Sequence, residues 1–393
     1  GPVTTETLER KGLMLYRFPR QILRLLLLTT LVFAMTSLVL SQNILPGRWY
    51  GEFLGSNPEV PMYPDANANY WTFHLNTERF PNHGVRIRGQ KPKARYYSFN
   101  VYDDTDFSPV ASLSDKMITV DDGRYEIEVR PSEESVSSTD LIQFDRDLSR
   151  ISVFLRYYLP DGGPYGGVEL PEIEVFELDT GRVVSRHSNR EPRYPKRFFG
   201  LSLIERFLEN QVSKYFTLNQ SAELHSFHLK GGGLYPNKDN EYLAMPVTPR
   251  DRVAVVRFKA PEVGGANPDV RYWSISLGDD KSLNHWTFSD QDLDAANDGF
   301  IYLLLSPEPS QQWTFPERPQ QASWSGLDRA ILIYRNLLTR PGYPNALADI
   351  PVTDPSDPSQ QHPAHHSIGD GSPIGVWTTE KELSTIRSLS ELF

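Results

Sequence analysis

Short runs of alternating apolar and polar residues recur along most of this chain, and Gly, Pro, Asn or Asp separates one run from the next. Such runs predict β-strands joined by turns. In "RYYSFNVY", Tyr97, Phe99 and Val101 share one side of an extended strand, whereas Ser98 and Asn100 lie on the other. We expect the side with the three apolar residues to face a hydrophobic core.

Several strings occur twice, in the same order. "RYYSFNVYDD" matches "RYWSISLGDD", "YPDANANY" matches "YPNKDNEY", and "LSRISVFLRYYL" matches "LDRAILIYRNLL". An Asp-Gly pair follows each copy of the first string at the same distance. Matched blocks in one order predict a tandem duplication, with a first β-domain over 47–175 and a second over 232–352.

The duplicated unit reads as a small antiparallel β-domain. Trp273, Ile275 and Leu277 repeat the apolar face of the first copy. Asp-Gly between two apolar runs is typical of a tight hairpin. Regularly spaced short strands predict two sheets packed face to face, so we expect a mainly β protein with two tandem sandwich or jelly-roll-like domains.

Two segments outside the repeats have helical periodicity. In the linker 176–231, apolar residues recur at spacings of three and four between Leu201 and Phe216, which predicts an amphipathic helix. This helix could pack between the two β-domains, or it could bind a membrane surface or a partner. The region 353–393 reads as a Pro-rich tail ending in a second amphipathic helix, which either docks on a partner or packs on its own domain. Its apolar side would hold Leu383, Ile386, Leu389 and Leu392.

The N-terminal region predicts a membrane anchor. The predicted anchor 22–41 contains Arg24 as its only charge, and its first 19 residues, 22–40, would span about 28 Å as a helix, close to the thickness of a bilayer core. Basic residues crowd the preceding segment 1–21, so the positive-inside rule places that segment in the cytoplasm and the rest on the exported side. For a bacterium, this predicts a single-pass inner-membrane protein with a periplasmic bulk. A cleaved signal peptide, with Val39 and Ser41 at its cleavage site, is the alternative.

Composition excludes several classes of protein. The chain has 393 residues and a net charge of −10, which gives no basic surface for nucleic acid. It contains no cysteine, which excludes disulfides, thiolate metal sites and cysteine nucleophiles.

Candidate chemistry is sparse, and we predict no catalytic residue and no cofactor. The best candidate for a calcium site is a group of four carboxylates, Asp290, Asp292, Asp294 and Asp298. The Gly and Glu that an EF-hand loop requires are missing from this segment. Turn capping is the competing interpretation. His225 and His228 could share a metal only on a helix. We expect Arg95 and Arg271 each to pair with a carboxylate of its own domain, with substrate binding as the alternative.

The strings "YPDANANYW", "ARYYSFNVYD", "LRYYLPD" and "GGVELPEI" resemble those of uncharacterised, membrane-anchored exported bacterial proteins from domain families of unknown function. The resemblance covers about residues 61–305, and the second copy keeps only part of the pattern. It implies paired β-rich domains and an envelope location. It brings no established activity and no site residues.

Two functions are compatible with these features. The first is a non-catalytic accessory subunit on the exported face of a larger membrane complex, photosynthetic or respiratory. Its partners would be the lipid bilayer, through 22–41, and other subunits. The second is a periplasmic ligand-binding protein or a hydrolase of the cell envelope, which would require a pocket where polar side chains converge.

Overall fold

The computed structural model describes residues 49–54, 63–132, 140–187, 213–218, 223–229, 235–248, 252–308, 313–324, 326–355 and 357–393. The predicted segment 1–21, the anchor 22–41 and most of the helix predicted between Leu201 and Phe216 lie outside these residues. The last part of that helix is a 3-10 turn, Lys214–Thr217. Among the described residues, no helix combines the length and apolarity needed to cross a bilayer.

The first half of the chain forms a β-sandwich of two five-stranded sheets. Sheet A has the strand order β1-β2-β8-β4-β5, and sheet B has the order β10-β9-β3-β6-β7. The strands are β1 (Tyr50–Leu54), β2 (Ala68–Asn76), β3 (His83–Gln90), β4 (Ala94–Asp103), β5 (Pro109–Ser114), β6 (Arg124–Pro131), β7 (Leu141–Phe144), β8 (Arg150–Pro160), β9 (Glu172–Glu177) and β10 (Val183–His187).

The second half forms another pair of five-stranded sheets. Sheet D has the order β12-β13-β19-β15-β16, and sheet C has the order β11-β20-β14-β17-β18. The strands are β11 (Glu223–His225), β12 (Phe227–His228), β13 (Asn240–Val247), β14 (Val253–Phe258), β15 (Tyr272–Asp279), β16 (Asn284–Ser289), β17 (Ile301–Ser306), β18 (Gln320–Ser323), β19 (Ala330–Leu337) and β20 (Ile374–Thr378).

The two sandwiches have the same topology. The order β2-β8-β4-β5 in sheet A corresponds to β13-β19-β15-β16 in sheet D, and β9-β3-β6-β7 in sheet B corresponds to β20-β14-β17-β18 in sheet C. Pairing is antiparallel except at one edge of each sandwich, where β6 and β7 run parallel, as do β17 and β18. The sequence predicted only antiparallel pairing; it missed these parallel edges because β7 and β18 are short and follow irregular connections.

Each sandwich has its own hydrophobic core, built from the residues that alternation assigned to it. Tyr97, Phe99 and Val101 of β4 lie in the first core, together with Ile87 and Ile127 from sheet B. The equivalent face of β15 lies in the second core, through Trp273, Ile275 and Leu277. The predicted sandwich architecture and the predicted core faces are thus confirmed.

The boundaries of the sandwiches differ from the predicted domains. The first sandwich runs past 175, because β9 and β10 complete sheet B. The second reaches into the predicted tail 353–393, because β20 pairs with β14 inside sheet C. The long Pro-rich connection before β20 hid this strand, since no local pattern links it to its neighbours.

The end of the chain covers the outer face of sheet C. Instead of one amphipathic helix, 379–393 forms α2 (Glu380–Leu383) and a 3-10 helix (Leu389–Leu392), each opened by a capping box. Leu383 and Leu389 are buried against Val255 and Leu304. Of the two predicted roles, packing on its own domain is the one observed. The remaining short helices are α1 (His365–Ile368) and the 3-10 helices Leu347–Asp349, Pro358–Gln360 and Gly369–Gly371.

Sheets A and D face each other across the contact between the sandwiches. Tyr96 and Tyr158 of sheet A pack with Tyr272 and Leu337 of sheet D in one buried cluster. The rings of Tyr158 and Tyr272 meet edge to face, with centroids 5.5 Å apart. The four sheets are therefore layered in the order B, A, D, C.

Candidate functional site

The four predicted calcium ligands do not converge on one point, and those with contacts have different partners. Asp290 pairs with Arg95 at 2.5 Å. Asp292 caps Ser289 by accepting hydrogen bonds from its N–H and hydroxyl, both at 2.8 Å. Asp298 accepts hydrogen bonds from a backbone N–H and a tyrosine hydroxyl, and Asp294 is exposed. No three His, Asp or Glu side chains converge as metal ligands in the described part of the chain.

His225 and His228 lie on strands of different sheets, not on one helix. His228 contacts the carbonyl of Ile350 at 2.7 Å and the carboxylate of Glu241 at 2.9 Å. The ring of His225 stacks on that of His365, with centroids 4.6 Å apart. The helical spacing that a shared metal would need is therefore absent from this segment.

The repeated arginines bridge the sandwiches. Arg95 pairs with Asp290 of the second sandwich, and Arg271 pairs with Asp115 of the first, each at 2.5 Å. The prediction that each arginine pairs within its own domain was wrong. The cause is the face-to-face packing of sheets A and D, which brings the start of β4 beside the end of β16 and the start of β15 beside the end of β5.

A pair of crossing arms reinforces this contact. We call residues 63–67 the first arm and residues 235–239 the second arm; they contain the repeated Tyr-Pro strings. Arg335 of β19 donates to the carbonyl of Tyr63 at 2.6 Å, and Arg156 of β8 donates to the carbonyl of Tyr235 at 2.7 Å. Both tyrosines have positive φ, 48° and 49°, so each arm makes the same sharp turn. Each arm reaches over the opposite sandwich.

The polar ends of the arms are held by tyrosines of the opposite sheet. The hydroxyl of Tyr272 donates to Asp65 of the first arm at 2.9 Å, and the hydroxyl of Tyr96 donates to Asp239 of the second arm at 2.5 Å. Burial, together with the charge of the adjacent carboxylate, raises the pKa of both tyrosines well above its usual value. Both therefore stay protonated and act as hydrogen-bond donors.

Arg156 is almost fully buried at the centre of this contact. It donates to Asn100 at 2.5 Å, and its guanidinium lies 5.3 Å from the ring of Phe154 and 5.5 Å from that of Tyr102. Aromatic faces and carbonyl oxygens can stabilise a buried guanidinium without a paired carboxylate. The polar residues of the repeated strings thus serve the junction between the sandwiches.

The first sandwich also contains an open cleft of about 1220 Å³. It lies where β3 ends and β6 begins, and the Gly-rich connection from β8 to β9 forms its rim. The Asp122-Gly123 hairpin, predicted from sequence, borders it; Asp122 and Gly123 have φ of 45° and 71°. Six carboxylates line the cleft: Asp121, Asp122, Glu126, Asp140, Glu169 and Glu172.

Behind the cleft lies a group of buried tyrosines. Tyr125 lines the cleft and is 4% exposed, and its ring stacks on that of Tyr97 at 5.9 Å. Within the described residues, the hydroxyl of Tyr97 has no hydrogen-bond partner, whereas those of Tyr125 and Tyr157 interact with each other. Burial, with the nearby charges of Asp115 and Asp140, raises the pKa of Tyr97 to about 12. Burial, followed by the neighbouring Tyr157 and Tyr97, raises the pKa of Tyr125 well above its usual value.

Sequence reasoning missed both the arms and the cleft. The repeated Tyr-Pro strings are the sequence signal for the arms, but taken alone they indicate only duplication. The cleft carboxylates come from the ends of several strands and loops, so no local pattern connects Asp121 with Asp140 or Glu169. Only the folded sheet brings them together.

No family model matches the sequence, and no curated protein matches it significantly. Among solved structures, the fold is similar to that of an uncharacterised protein from Burkholderia cenocepacia, with a TM-score of 0.54, 10% identity, and coverage of 88% of this chain and 83% of that chain. A protein from Vibrio parahaemolyticus gives a TM-score of 0.41 at 12% identity, covering 79% of this chain and 89% of that chain. The first likeness shows a shared fold and nothing about activity.

Proposed function

We propose that this protein is a non-catalytic accessory subunit, anchored by 22–41 in the inner membrane, whose two sandwiches pack on the exported face of a larger membrane complex. An energy-transducing complex, photosynthetic or respiratory, is the kind of assembly we envisage. One observation carries the proposal: Arg95, Arg271, Tyr96 and Tyr272, the polar residues that recur in both copies, bind the opposite sandwich. Residues used in this way favour a rigid structural body over an active site.

We also propose that the two sandwiches arose by tandem duplication of one gene fragment. The shared strand order supports this, and so does the recurrence of one parallel edge pair in each sandwich. Hairpin-linked sheets do not require a parallel edge, so its occurrence at the same place in both copies is informative. The reciprocal arms then have a simple origin, since identical units pack most readily through the same surface.

The native mass of the full-length chain tests the accessory role. The chain would be extracted from its own membranes in a mild detergent and its mass measured by light scattering and native mass spectrometry. We expect a complex with other subunits at a ratio that stays constant through two different purification steps. A chain that elutes alone as a monomer would rule out the proposal. Recovery in the soluble fraction, without detergent, would rule out the anchor.

A second candidate, a ligand-binding protein of the cell envelope, is favoured by the open cleft of the first sandwich. Its hydrolytic form has weaker support, because neither serine nor histidine is among the described residues that line the cleft, so a Ser–His pair is not available there. Saturable binding of a small molecule by an isolated monomer would favour this candidate over the accessory role.

A further inference from the structure

The contacts between the sandwiches are related by an approximate two-fold exchange. Each ion pair, arm carbonyl and arm tyrosine contact described above has a counterpart in which the first and second sandwiches change places. The exchange extends to loop conformation, since Phe107 after β4 and Ser282 after β15 have φ of 61° and 62°. An interface that is its own counterpart is of the isologous type, by which two identical subunits pair.

Two positions at the centre of the junction break this exchange. In the first sandwich, Ala68 of β2 lies beside Tyr158 of β8; in the second, Asn240 of β13 lies beside Leu337 of β19. Across the junction, the side-chain amide of Asn240 donates to the hydroxyl of Tyr158 at 3.1 Å. The matching positions, Ala68 and Leu337, are both apolar and lie fully buried in the same cluster. One polar pair and one apolar pair thus replace two identical contacts.

This arrangement suits two unlike sandwiches. If two first sandwiches met through this face, each Tyr158 would lie opposite Ala68, and its hydroxyl would be buried without the amide that it contacts here. If two second sandwiches met, each Asn240 would lie opposite Leu337. A polar group buried without a partner costs more than its hydrogen bond contributes, so both like pairs are disfavoured.

A third position adds a steric barrier. The ring of Tyr63 lies directly on Gly278, where a Cβ would collide with it. Gly278 is the second-to-last residue of β15, and Tyr102 holds the same place in β4. In a pair of first sandwiches, Tyr63 would therefore meet a tyrosine in place of glycine. The second arm is fitted to that tyrosine, since Tyr235 packs on Tyr102 with ring centroids 5.1 Å apart.

We propose that the junction keeps the two-fold arrangement of a symmetric dimer of single sandwiches, and that Tyr158, Asn240 and Gly278 now make each sandwich exclude a second copy of itself and accept only the other. The proposal rests on the tandem duplication proposed above. Specificity of this kind combines attraction to the correct partner with a penalty for the wrong one.

Melting of the full-length chain in detergent tests the proposal, because single substitutions reproduce the contacts of like pairs within one chain. Leu337→Tyr places a tyrosine opposite Ala68, as between two first sandwiches. Tyr158→Leu places a leucine opposite Asn240, as between two second sandwiches. Each variant should lower the melting temperature by at least about 2 °C, because a polar group is buried without a partner.

A second substitution should reverse each loss. Ala68→Asn supplies the missing amide to Leu337→Tyr, and Asn240→Ala removes the unpaired amide from Tyr158→Leu. Each double variant should melt at least about 2 °C above its single variant. Leu337→Phe is the matched control: it adds a ring without a hydroxyl, so Ala68→Asn should lower its melting temperature further instead of raising it.

Three outcomes would overturn the proposal: single variants that melt like the unmodified chain, double variants that melt no higher than the singles, and equal rescue of Leu337→Tyr and Leu337→Phe by Ala68→Asn. If the larger ring at 337 prevents folding, the cycle of Tyr158→Leu with Asn240→Ala, which introduces only smaller side chains, decides the question. These melting temperatures report on the junction and the native mass reports on other subunits, so this proposal and the accessory role fail separately.

Discussion

Removing Asp290 from its interdomain ion pair should destabilise the contact between the sandwiches by about 2 kcal/mol, a value between those for exposed and fully buried pairs. The side chain of Asp290 is 10% exposed and that of Arg95 is 25% exposed. Exposed pairs contribute up to about 1 kcal/mol, whereas breaking a fully buried pair costs about 3–5 kcal/mol because one charge stays buried alone. Asp290→Asn keeps the shape of the side chain and removes only its charge.

The equivalent pair should respond less. Asp115 and Arg271 are 14% and 25% exposed, but burial raises the pKa of Asp115 in spite of the attraction of Arg271. The attraction of Arg271 therefore does not fully offset the cost of burying the Asp115 carboxylate. We expect Asp115→Asn to cost roughly half as much as Asp290→Asn, about 1 kcal/mol. The two changes should not simply add, because Arg271 also donates to the carbonyl of Arg95 at 3.2 Å.

Urea denaturation followed by tryptophan fluorescence measures these effects, and a double-mutant cycle of Arg95→Met with Asp290→Asn isolates the pair. As a control, Asp370→Asn breaks a pair with Arg257 inside the second sandwich, where Asp370 is 56% exposed, and should cost under about 1 kcal/mol. A coupling energy below about 0.3 kcal/mol for Arg95 and Asp290 would refute the argument, since such a value is typical of independent sites.

Three more changes probe the junction, the C-terminal cover and the titrating groups. In Gly278→Ala, the new methyl group would clash with the ring of Tyr63. The variant should have a lower melting temperature and a junction more open to proteolysis. An unchanged melting curve would contradict this contact. Leu389→Ala should cost about 2–5 kcal/mol in urea denaturation, as for other buried leucines, and a cost below about 1 kcal/mol would mean that the C-terminal cover is loosely held. Burial lowers the pKa of His74, but the charge and hydrogen bond of Asp104, 2.9 Å away, raise it more, so the net pKa lies above 6.5. The stability from this pair is thus complete below pH 6.5 and lost as pH rises through the folded-state pKa; melting temperatures from pH 6 to 8 should fall, and His74→Gln should flatten the fall.

Local alternation was enough to predict the central strands and their buried faces. Tyr97, Phe99 and Val101 lie in the core because a strand exposes alternate residues to opposite sides, which depends on neighbours only two positions apart. The Asp122-Gly123 hairpin follows from the same kind of local rule, since glycine tolerates the positive φ that this turn needs.

Contacts between distant segments could not be predicted in this way. Arg95 and Asp290 are 195 positions apart, the first at the start of β4 and the second just after the end of β16. The sequence shows that both copies have such an arginine, but the partner depends on which faces of the two sandwiches meet. The same limit applies to the cleft, where the positions of Asp121 and Asp140 are set by the ends of different strands.

The outer faces of sheets B and C differ in polarity, and this difference is linked to the C-terminal segment 379–393. On sheet B, Arg86 is paired with Glu128 at 2.8 Å in a surface lattice of ion pairs. The corresponding positions of sheet C hold Val255 and Leu304, which pair across β14 and β17 as Arg86 and Glu128 do across β3 and β6. Val255 and Leu304 would expose an apolar patch without the segment 379–393 that packs on them. Conversely, the same segment on sheet B would bury charges at a cost that its leucines could not offset. The apolar outer face of sheet C and the segment 379–393 that covers it therefore depend on each other. Together they form a single difference between the second sandwich and the first.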